Sequence, residues 1–368
     1  MPRLPLSLFW RARRISPGAA LLLPVCRDLP SALTELRWIR QHVEETDGKR
    51  SSSWDREQSV LSLCRRRGRG EPLQYVLGTQ PFGSLDLLCR RGVLIPRPEP
   101  EAYSLHLADM LLRESRLAAG SGSGQRRRLT ILDACTGTGC IALLLYAQLR
   151  RRALGREKGS LLHVVGLDLA PEAVSLAREN AARNRLLPPD NENVSTSVRF
   201  VQGDLFSDDW LKDPAVQHLL LQSPLDVLVS NPPYISADGF AHDTARSVRL
   251  FEPKLAQVPD TEAAVGSDMG TPDRGHPEDV FYVRLLALAA RLDARILLCE
   301  TGGLEQAKRV VALALEEEHH PSLVDIEIWA DQPDIMDVDS PERCVTVAGR
   351  EVRIKGSGHG RSVFIRRR

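Results

Sequence analysis

Apolar residues in the first part of the chain recur at intervals of three and four, which is the spacing of one face of an α-helix. One such series consists of Leu29, Leu33, Leu36, Ile39 and Val43. A second, shorter series lies between Val60 and Cys64. The two series predict a small helical domain, which we place at residues 28–80.

Apolar positions between residues 81 and 97 fit a different element. Phe82, Leu85 and Leu87 surround Gly83, and the apolar run Val93–Ile95 follows two arginines and a glycine. Alternating apolar residues around turn-forming ones are typical of paired strands. The pattern predicts a β-hairpin over residues 81–97 that links the helical domain to a second one.

From Leu129 onwards, short apolar runs alternate with helical stretches such as Pro171–Asn184. The predicted strands are Leu129–Asp133, Leu161–Asp168, Ser197–Gln202, Asp226–Ser230, Arg295–Cys299, Leu323–Trp329 and Arg361–Ile365. Repeated strand–helix units imply a mostly parallel, doubly wound sheet. We therefore expect an α/β domain with a seven-stranded sheet over residues 98–368.

Composition and charge narrow the class of protein. The 368 residues are 42% hydrophobic, which suits one large domain with a small accessory domain. A formal net charge of +1 gives no global basic footprint, so no stable nucleic-acid partner is expected. No apolar run reaches the ~18 residues of a membrane-spanning helix. The seven cysteines include no Cys-x-x-Cys pair, so we expect reduced thiols and no metal site.

The first 27 residues differ from the rest of the chain. They contain Arg3, Arg11, Arg13, Arg14 and Arg27, and no acidic residue precedes Asp28. An arginine-rich, acid-free start is typical of a mitochondrial transit peptide, which predicts a location in the matrix. The alternative is a disordered basic tail.

A glycine-containing turn follows the first predicted strand of the second domain, in the segment Asp133-Ala-Cys-Thr-Gly-Thr-Gly139. Its glycines allow a tight turn and a close approach to a ligand. The spacing matches neither a P-loop nor the dinucleotide-binding motif. It resembles the first motif of class I (Rossmann-like) methyltransferases, which implies S-adenosyl-L-methionine as the cofactor. The candidate cofactor-binding residues of this segment are Asp133, Cys135, Thr136, Gly137, Thr138 and Gly139.

Two further acidic residues end or follow predicted strands. Asp168 ends the second strand of the domain, where a carboxylate can accept both ribose hydroxyls of a nucleoside. Asp204 follows the third strand and can accept from an adenine amino group, while Leu205 and Phe206 can pack on the ring. The alternatives are a helix N-cap for Asp168 and a plain turn for Asp204.

The fourth strand leads into Asn231-Pro-Pro-Tyr234. The consecutive prolines stiffen this loop. The Asn231 side-chain oxygen and the Pro232 carbonyl can each accept one N–H of a planar amide or amine, which orients the nitrogen and stabilises the positive charge that develops on it. Tyr234 can pack against the planar group. Asn231, Pro232 and Tyr234 are therefore the catalytic candidates. Asn231, Pro232, Pro233 and Tyr234 form the substrate loop, and Asn231 also counts among the cofactor-binding residues.

The chain resembles the HemK/PrmC family of protein-(glutamine-N5) methyltransferases, which modify class I peptide-chain release factors. The resemblance rests on Arg69–Gly78, Gly92–Glu101 and Arg249–Pro253, together with the motifs above, and spans about residues 30–330. It implies methylation of the glutamine in a Gly-Gly-Gln loop. Because a catalytic cleft alone offers less surface than the ~1,200–2,000 Å² of a specific protein interface, we expect the helical domain to recognise the substrate. Cys135 departs from the glycine usual in the family, and the charged region 331–360 is longer than expected.

Other functions remain open from the residues alone. The Asn-Pro-Pro-Tyr loop also serves methylases of adenine and cytosine, so RNA or DNA is an alternative substrate. A ribosomal protein glutamine is a second alternative, and a non-enzymatic ribosome- or release-factor-binding module is a third. A monomer is expected, and association with the ribosome is left open.

Overall fold

The computed structural model describes residues 3–46, 52–119, 128–156, 161–187, 196–220, 224–260, 276–317, 324–335 and 343–367. The chain divides into two compact units. The helical unit comprises Met1–Thr79, Cys89–Arg91 and Thr244–Glu252. The sheet unit comprises Gln80–Leu88, Gly92–Asp243 and Pro253–Arg368.

The helices follow one another from α1 to α13. They are α1 Leu6–Ile15, α2 Pro17–Cys26, α3 Leu29–Thr46, α4 Ser53–Gly68, α5 Leu73–Leu77, α6 Pro98–Ala119, α7 Cys140–Arg156, α8 Pro171–Arg183, α9 Pro214–Leu220, α10 Ala237–His242, α11 Arg246–Phe251, α12 Val280–Arg291 and α13 Leu304–Glu317. Within the ranges that the structure describes, none of them combines the length and apolarity needed to cross a membrane.

The strands run from β1 to β11. They are β1 Thr79–Phe82, β2 Leu85–Leu88, β3 Arg128–Ala134, β4 Leu161–Asp168, β5 Thr196–Gln202, β6 Val227–Ser230, β7 Ile296–Glu300, β8 Val324–Gln332, β9 Arg343–Val347, β10 Arg350–Lys355 and β11 Ser357–Arg367. Each of the seven predicted strands coincides with one of these to within a few residues, except that Leu323 lies outside the described residues.

The helical unit has its own apolar core. The predicted face of α3 is buried, with Leu36 and Ile39 among its least exposed residues. The unit also begins earlier than residue 28, because α1 and α2 contribute fully buried side chains to the same core, Leu22 and Leu23 among them. That residues 1–27 form a transit peptide stays a prediction.

The hairpin is shorter than expected and belongs to the sheet unit. It pairs β1 with β2, and its apolar side chains Phe82 and Leu87 are buried against helices of that unit. Asn180 of α8 accepts a hydrogen bond from the Leu88 N–H at 2.7 Å. The apolar run 93–95 is not a strand, because Val93 packs on α8 instead of pairing with the hairpin.

The central sheet has the order β5-β4-β3-β6-β7-β11-β8-β10-β9. Strands β3 to β7 are mutually parallel where they pair, and β11 is antiparallel to both β7 and β8. One face of the sheet packs on α6, α7 and α8, and the other on α9, α12 and α13. This confirms the doubly wound α/β class.

The prediction of seven strands was wrong, because the sheet has nine strands within the part of the chain that the structure describes. The two additional strands, β9 and β10, lie in the charged region 331–360. They escaped a search for apolar runs because an edge hairpin buries only part of its side chains, such as Val352 and Ile354, between exposed charged ones. A second difference concerns the domain boundary, since Thr244–Glu252, which contains α11, belongs to the helical unit.

Candidate active site

The predicted site residues meet at one edge of the sheet. The strands β4, β3 and β6 are adjacent and parallel, with Ala134 paired to both Leu167 and Ser230. Their carboxyl ends therefore lie side by side. From β3 the chain continues to β4 on one side, and it later returns to β6 on the other side of β3. Ligands bind at such a switch point in open α/β sheets, beyond the carboxyl ends of the strands.

The turn after β3 requires left-handed backbone at three positions. Cys135, Gly137 and Gly139 have φ values of +61°, +55° and +79°. A Cβ on Gly139 would lie 3.0 Å from both Ala177 and Phe200, so that glycine is needed for packing. A Cβ on Gly137 would meet no atom within 4 Å, so its backbone faces open space in which a ligand can approach.

Asp133 lies beneath this turn and is fully buried. Its Oδ2 accepts hydrogen bonds from the Thr136 hydroxyl at 2.6 Å and from the Ala142 N–H at 3.1 Å, which ties the turn to the start of α7. Burial raises the pKa of Asp133 to about 7. Its Oδ1 and the Thr138 hydroxyl are buried and meet no hydrogen-bond partner among the described residues.

Asp168, at the end of β4, reaches the same turn. Its Oδ2 accepts from the Gly137 N–H at 2.8 Å, and its Oδ1 accepts from the Ala170 N–H at 3.0 Å. Burial raises the pKa of this carboxyl above its usual range. Each carboxylate oxygen has a second lone pair, so Asp168 can hold the turn and still accept from hydroxyls of a ligand.

The segment after β5 is placed at the same edge, because the Gly203 N–H donates to the Asp168 carbonyl at 2.9 Å. Asp204 caps its own turn, accepting from the Phe206 N–H at 2.9 Å. Leu205 is only 5% exposed and packs in the core, so the ring of Phe206 offers more apolar surface to a ligand than Leu205 does. The adenine role of Asp204 and Leu205 stays a prediction.

The loop after β6 is anchored by Ser230 and by its two prolines. The Ser230 hydroxyl donates to the Ala134 carbonyl at 2.8 Å, and Pro232 and Pro233 are buried. The Asn231 side chain is half-buried, and no residue in the described ranges hydrogen bonds to it. The loop borders a small pocket. Leu94, Arg97, Asn231, Tyr234, Ala256 and Gln257 line that pocket.

Sequence reasoning missed the residues that hold Tyr234. Its hydroxyl donates to Oε1 of Glu300 at 3.2 Å, and its carbonyl accepts from Nε2 of Gln306 at 3.2 Å. Glu300 is only 2% exposed, and burial raises the pKa of its carboxyl to about 8. It ends β7, so its position at the carboxyl edge of a parallel strand was a signal available in the sequence.

These features suit the cofactor predicted from the sequence. A glycine turn with open space above Gly137, a carboxylate on the neighbouring strand and the unpartnered Oδ1 of Asp133 offer acceptors for the amino and hydroxyl groups of S-adenosylmethionine. A stiff Asn-Pro-Pro-Tyr loop adjoins them. The fold and this constellation define a class I methyltransferase that depends on S-adenosylmethionine.

Comparison with known proteins narrows the class. No family model matches the chain. The chain is 35% identical over 265 residues to the mitochondrial MRF1 N(5)-glutamine methyltransferase of Saccharomyces cerevisiae, covering 72% of this chain and 71% of that protein. It is 37% identical over 201 residues to the release factor glutamine methyltransferase of Pasteurella multocida, covering 55% and 58%. The chain belongs to the family of release factor glutamine methyltransferases.

Similarity to solved structures is lower. The catalytic domain of human METTL16 in complex with the MAT2A 3′UTR hairpin 1 matches with a TM-score of 0.43 and 17% identity, covering 83% of this chain and 80% of that one. A putative class I S-adenosylmethionine-dependent methyltransferase of Listeria monocytogenes matches with a TM-score of 0.39 and 13% identity, covering 99% and 88%.

Proposed function

We propose that this enzyme transfers a methyl group from S-adenosylmethionine to the side-chain amide nitrogen of the glutamine in the Gly-Gly-Gln loop of a mitochondrial class I release factor. The observation that carries the proposal is the position of Asn231–Tyr234, directly beside the glycine turn at the carboxyl edge of the sheet. The relatives named for release factor and MRF1 glutamine methylation support the choice of substrate.

The bound cofactor supplies an electrophilic methyl group on sulfonium. The protein orients the substrate nitrogen and supplies acceptors that stabilise the developing positive charge. An amide nitrogen is a poor nucleophile because its lone pair is delocalised. The Asn231 side-chain oxygen and the Pro232 carbonyl each accept a hydrogen bond from one of its two N–H groups. These bonds fix the nitrogen and stabilise the positive charge that forms on it. The Tyr234 ring packs against the amide plane. The surplus proton leaves after methyl transfer.

On the cofactor, we assign the methionine half to the turn Cys135–Gly139 and to Asp133, and the ribose to Asp168. Asp204 takes the adenine amino group. Because Asp168 already accepts from the Gly137 N–H, ribose binding and the shape of the turn are coupled through one carboxylate.

The helical unit recognises the protein substrate. It contains 18 Lys and Arg residues against nine Asp and Glu residues, whereas the sheet unit contains 31 against 39. Its exposed side chains include Trp10 at 66%, Trp38 at 45% and Trp54 at 68%. Arginine and tryptophan are enriched among the residues that dominate protein interfaces.

Charge and aromatic substitutions test this role. Arg37→Glu with Trp38→Ala should raise KM for the release factor while the Kd of the cofactor stays unchanged. Arg199→Glu, on an exposed position of β5, is the matched control. An unchanged KM in the first variant would remove this part of α3 from recognition.

We propose that the enzyme is located in the mitochondrial matrix. We also propose that it is a monomer and that it binds the release factor either free in solution or on the ribosome. The arginine-rich residues 1–27 and the mitochondrial relatives of Saccharomyces cerevisiae and Schizosaccharomyces pombe support the location. A fluorescent protein fused to residues 1–27 should enter mitochondria, and cytosolic fluorescence would contradict the targeting role. Light scattering on the purified protein tests the monomer.

A substrate competition tests the reaction itself. Labelled S-adenosylmethionine is incubated with the enzyme and, separately, with a mitochondrial release factor, mitochondrial ribosomal proteins and ribosomal RNA. Label should enter the release factor alone. Label in RNA or in a ribosomal protein, with none in the release factor, would replace the proposed substrate by that one.

A further inference from the structure

We propose that Glu300 is a positioning residue for the methylation site, holding the Tyr234 ring as the wall against which the substrate amide packs. The proposal rests on the function proposed above, because it gives Tyr234 that role. Glu300 itself touches neither the cofactor turn nor the Asn231 side chain in the described contacts.

Burial of the Glu300 carboxyl has an energetic cost that calls for a structural or functional explanation. Glu300 is 2% exposed and forms no ion pair with any Lys or Arg among the described residues. Taking a carboxyl out of water without a cation in direct contact is costly, and such groups concentrate at functional sites. Its described hydrogen bond is to the Tyr234 hydroxyl, which points to the catalytic loop as the reason.

Tyr234 is held at both ends by the same segment. Glu300 accepts from the hydroxyl at the far end of the ring, and Gln306 donates to the carbonyl at the backbone end. Between them, a Cβ on Gly302 would lie 3.3 Å from Cδ2 of Tyr234, so the backbone at Gly302 packs closely beside the ring. The turn from Glu300 to Gln306 therefore contacts this tyrosine at its hydroxyl, at its ring and at its carbonyl.

The turn from Glu300 to Gln306 is itself held in place by further hydrogen bonds. The Gln306 side chain accepts from the Gly302 N–H at 2.7 Å and donates to Oδ1 of Asp279 at 2.8 Å. Arg309 pairs with that Asp279 carboxylate, with Nη2 3.0 Å from Oδ1. Tyr234 therefore rests on a network whose members have defined partners, and a ring held in this way is pre-organised before substrate arrives.

The titratable and charged groups that face Glu300 come from several elements. Glu99 and Tyr103 face it from α6, Tyr234 from the loop after β6, and Arg361 from β11. The Tyr103 hydroxyl and Oε2 of Glu300 are both buried and form no hydrogen bond of ordinary geometry among the described residues. Burial and Glu99 raise the pKa of Glu300, while the tyrosine contacts and Arg361 lower it.

A double-mutant cycle on the full-length enzyme separates positioning from general stability. Glu300→Ala and Tyr234→Phe should each lower kcat/KM for the release factor by up to about 10²-fold, the cost of misplacing a contact by about 1 Å. The double variant should lose no more than the larger single loss, because both remove one interaction. Glu300→Gln keeps an acceptor of the same shape and should stay within a few-fold of the wild type at neutral pH. The cofactor Kd should be unchanged throughout.

Independent, multiplicative losses in the double variant would overturn the proposal, as would a parallel loss of cofactor affinity. A wild-type enzyme inactive on the release factor would instead defeat the proposed function. In that case, crystal structures of the wild type and of Glu300→Ala decide the positioning role. A displaced Tyr234 ring with an unchanged glycine turn supports it, and an unmoved ring contradicts it.

Discussion

The Asp168 carboxylate accepts a hydrogen bond from the backbone N–H of Gly137, with 2.8 Å between Oδ2 and N, although the two residues are 31 positions apart in the chain. This bond joins the ends of two adjacent parallel strands at the cofactor edge. One carboxylate therefore shapes the turn and offers its remaining lone pairs to a ligand.

Asp168→Ala should weaken S-adenosylmethionine binding by about 10- to 100-fold, since hydrogen bonds to a charged group contribute about 1.5–3 kcal/mol. Saturated turnover should fall less, because ribose contacts act in the ground and transition states alike. Calorimetry measures the affinity. Asp209→Ala, which removes an exposed acid of the same unit, is the control. Unchanged affinity in Asp168→Ala would refute the ribose assignment.

Cys135 has a φ of +61°, a conformation that costs a residue with a Cβ about 1–2 kcal/mol. Cys135→Val should therefore unfold at lower urea concentration than Cys135→Gly, by a free energy of about 1–2 kcal/mol from the backbone alone. Cofactor should remain able to bind in the glycine variant. Equal stability of the two variants would show that the turn relaxes away from this conformation.

Deleting residues 1–27 should destabilise the helical unit. The deletion removes Leu22 and Leu23, both fully buried, and burial of each leucine contributes about 1.5–3 kcal/mol. The loss of helical circular dichroism on heating should begin at a lower temperature. Deletion of residues 1–3, which precede the first described side chain that packs on this core, Leu4, is the control and should leave the transition in place. An unchanged melting curve after the longer deletion would mean that α1 and α2 add nothing to the folded unit.

Glu300 gives stability a distinct pH dependence. Its folded pKa, about 8, lies above that of an unfolded glutamate, so the folded state binds one proton more between about pH 4.5 and 8. Wild-type stability should then fall with rising pH by up to about 1.4 kcal/mol per unit relative to Glu300→Gln, which cannot titrate. Chemical denaturation of both proteins at pH 5, 6 and 7 measures the difference. A constant difference would contradict the raised pKa.

The sequence predicted those features that depend on period and on local turns. The strands β3 to β7 are almost continuously buried, so apolar runs revealed them, and Asp133, Asp168 and Asn231 stood out because each ends or follows such a run. The register that aligns Ala134 with both Leu167 and Ser230 follows from parallel pairing of those strands.

Features that depend on distant partners were not visible in this way. Nothing local marks Gln306 as the anchor of the Tyr234 carbonyl, because 72 positions separate them. The assignment of Thr244–Glu252 to the helical unit is likewise tertiary, as when Arg91 lies over the Phe251 ring at 4.9 Å. The packing of α1 and α2 on the helical core was not visible either, since an arginine-rich, amphipathic sequence is compatible both with a targeting signal and with a packed helix.

The most direct test of the account is mass spectrometry of the Gly-Gly-Gln peptide from a mitochondrial release factor incubated with S-adenosylmethionine and the enzyme. One methyl group should appear on the glutamine side chain with the wild type. Asn231→Ala should lower the rate by about 10²–10³-fold, the cost of losing one transition-state hydrogen bond, while cofactor affinity stays within a few-fold of the wild type. Methylation at any other residue, or a near-wild-type rate in Asn231→Ala, would contradict the account.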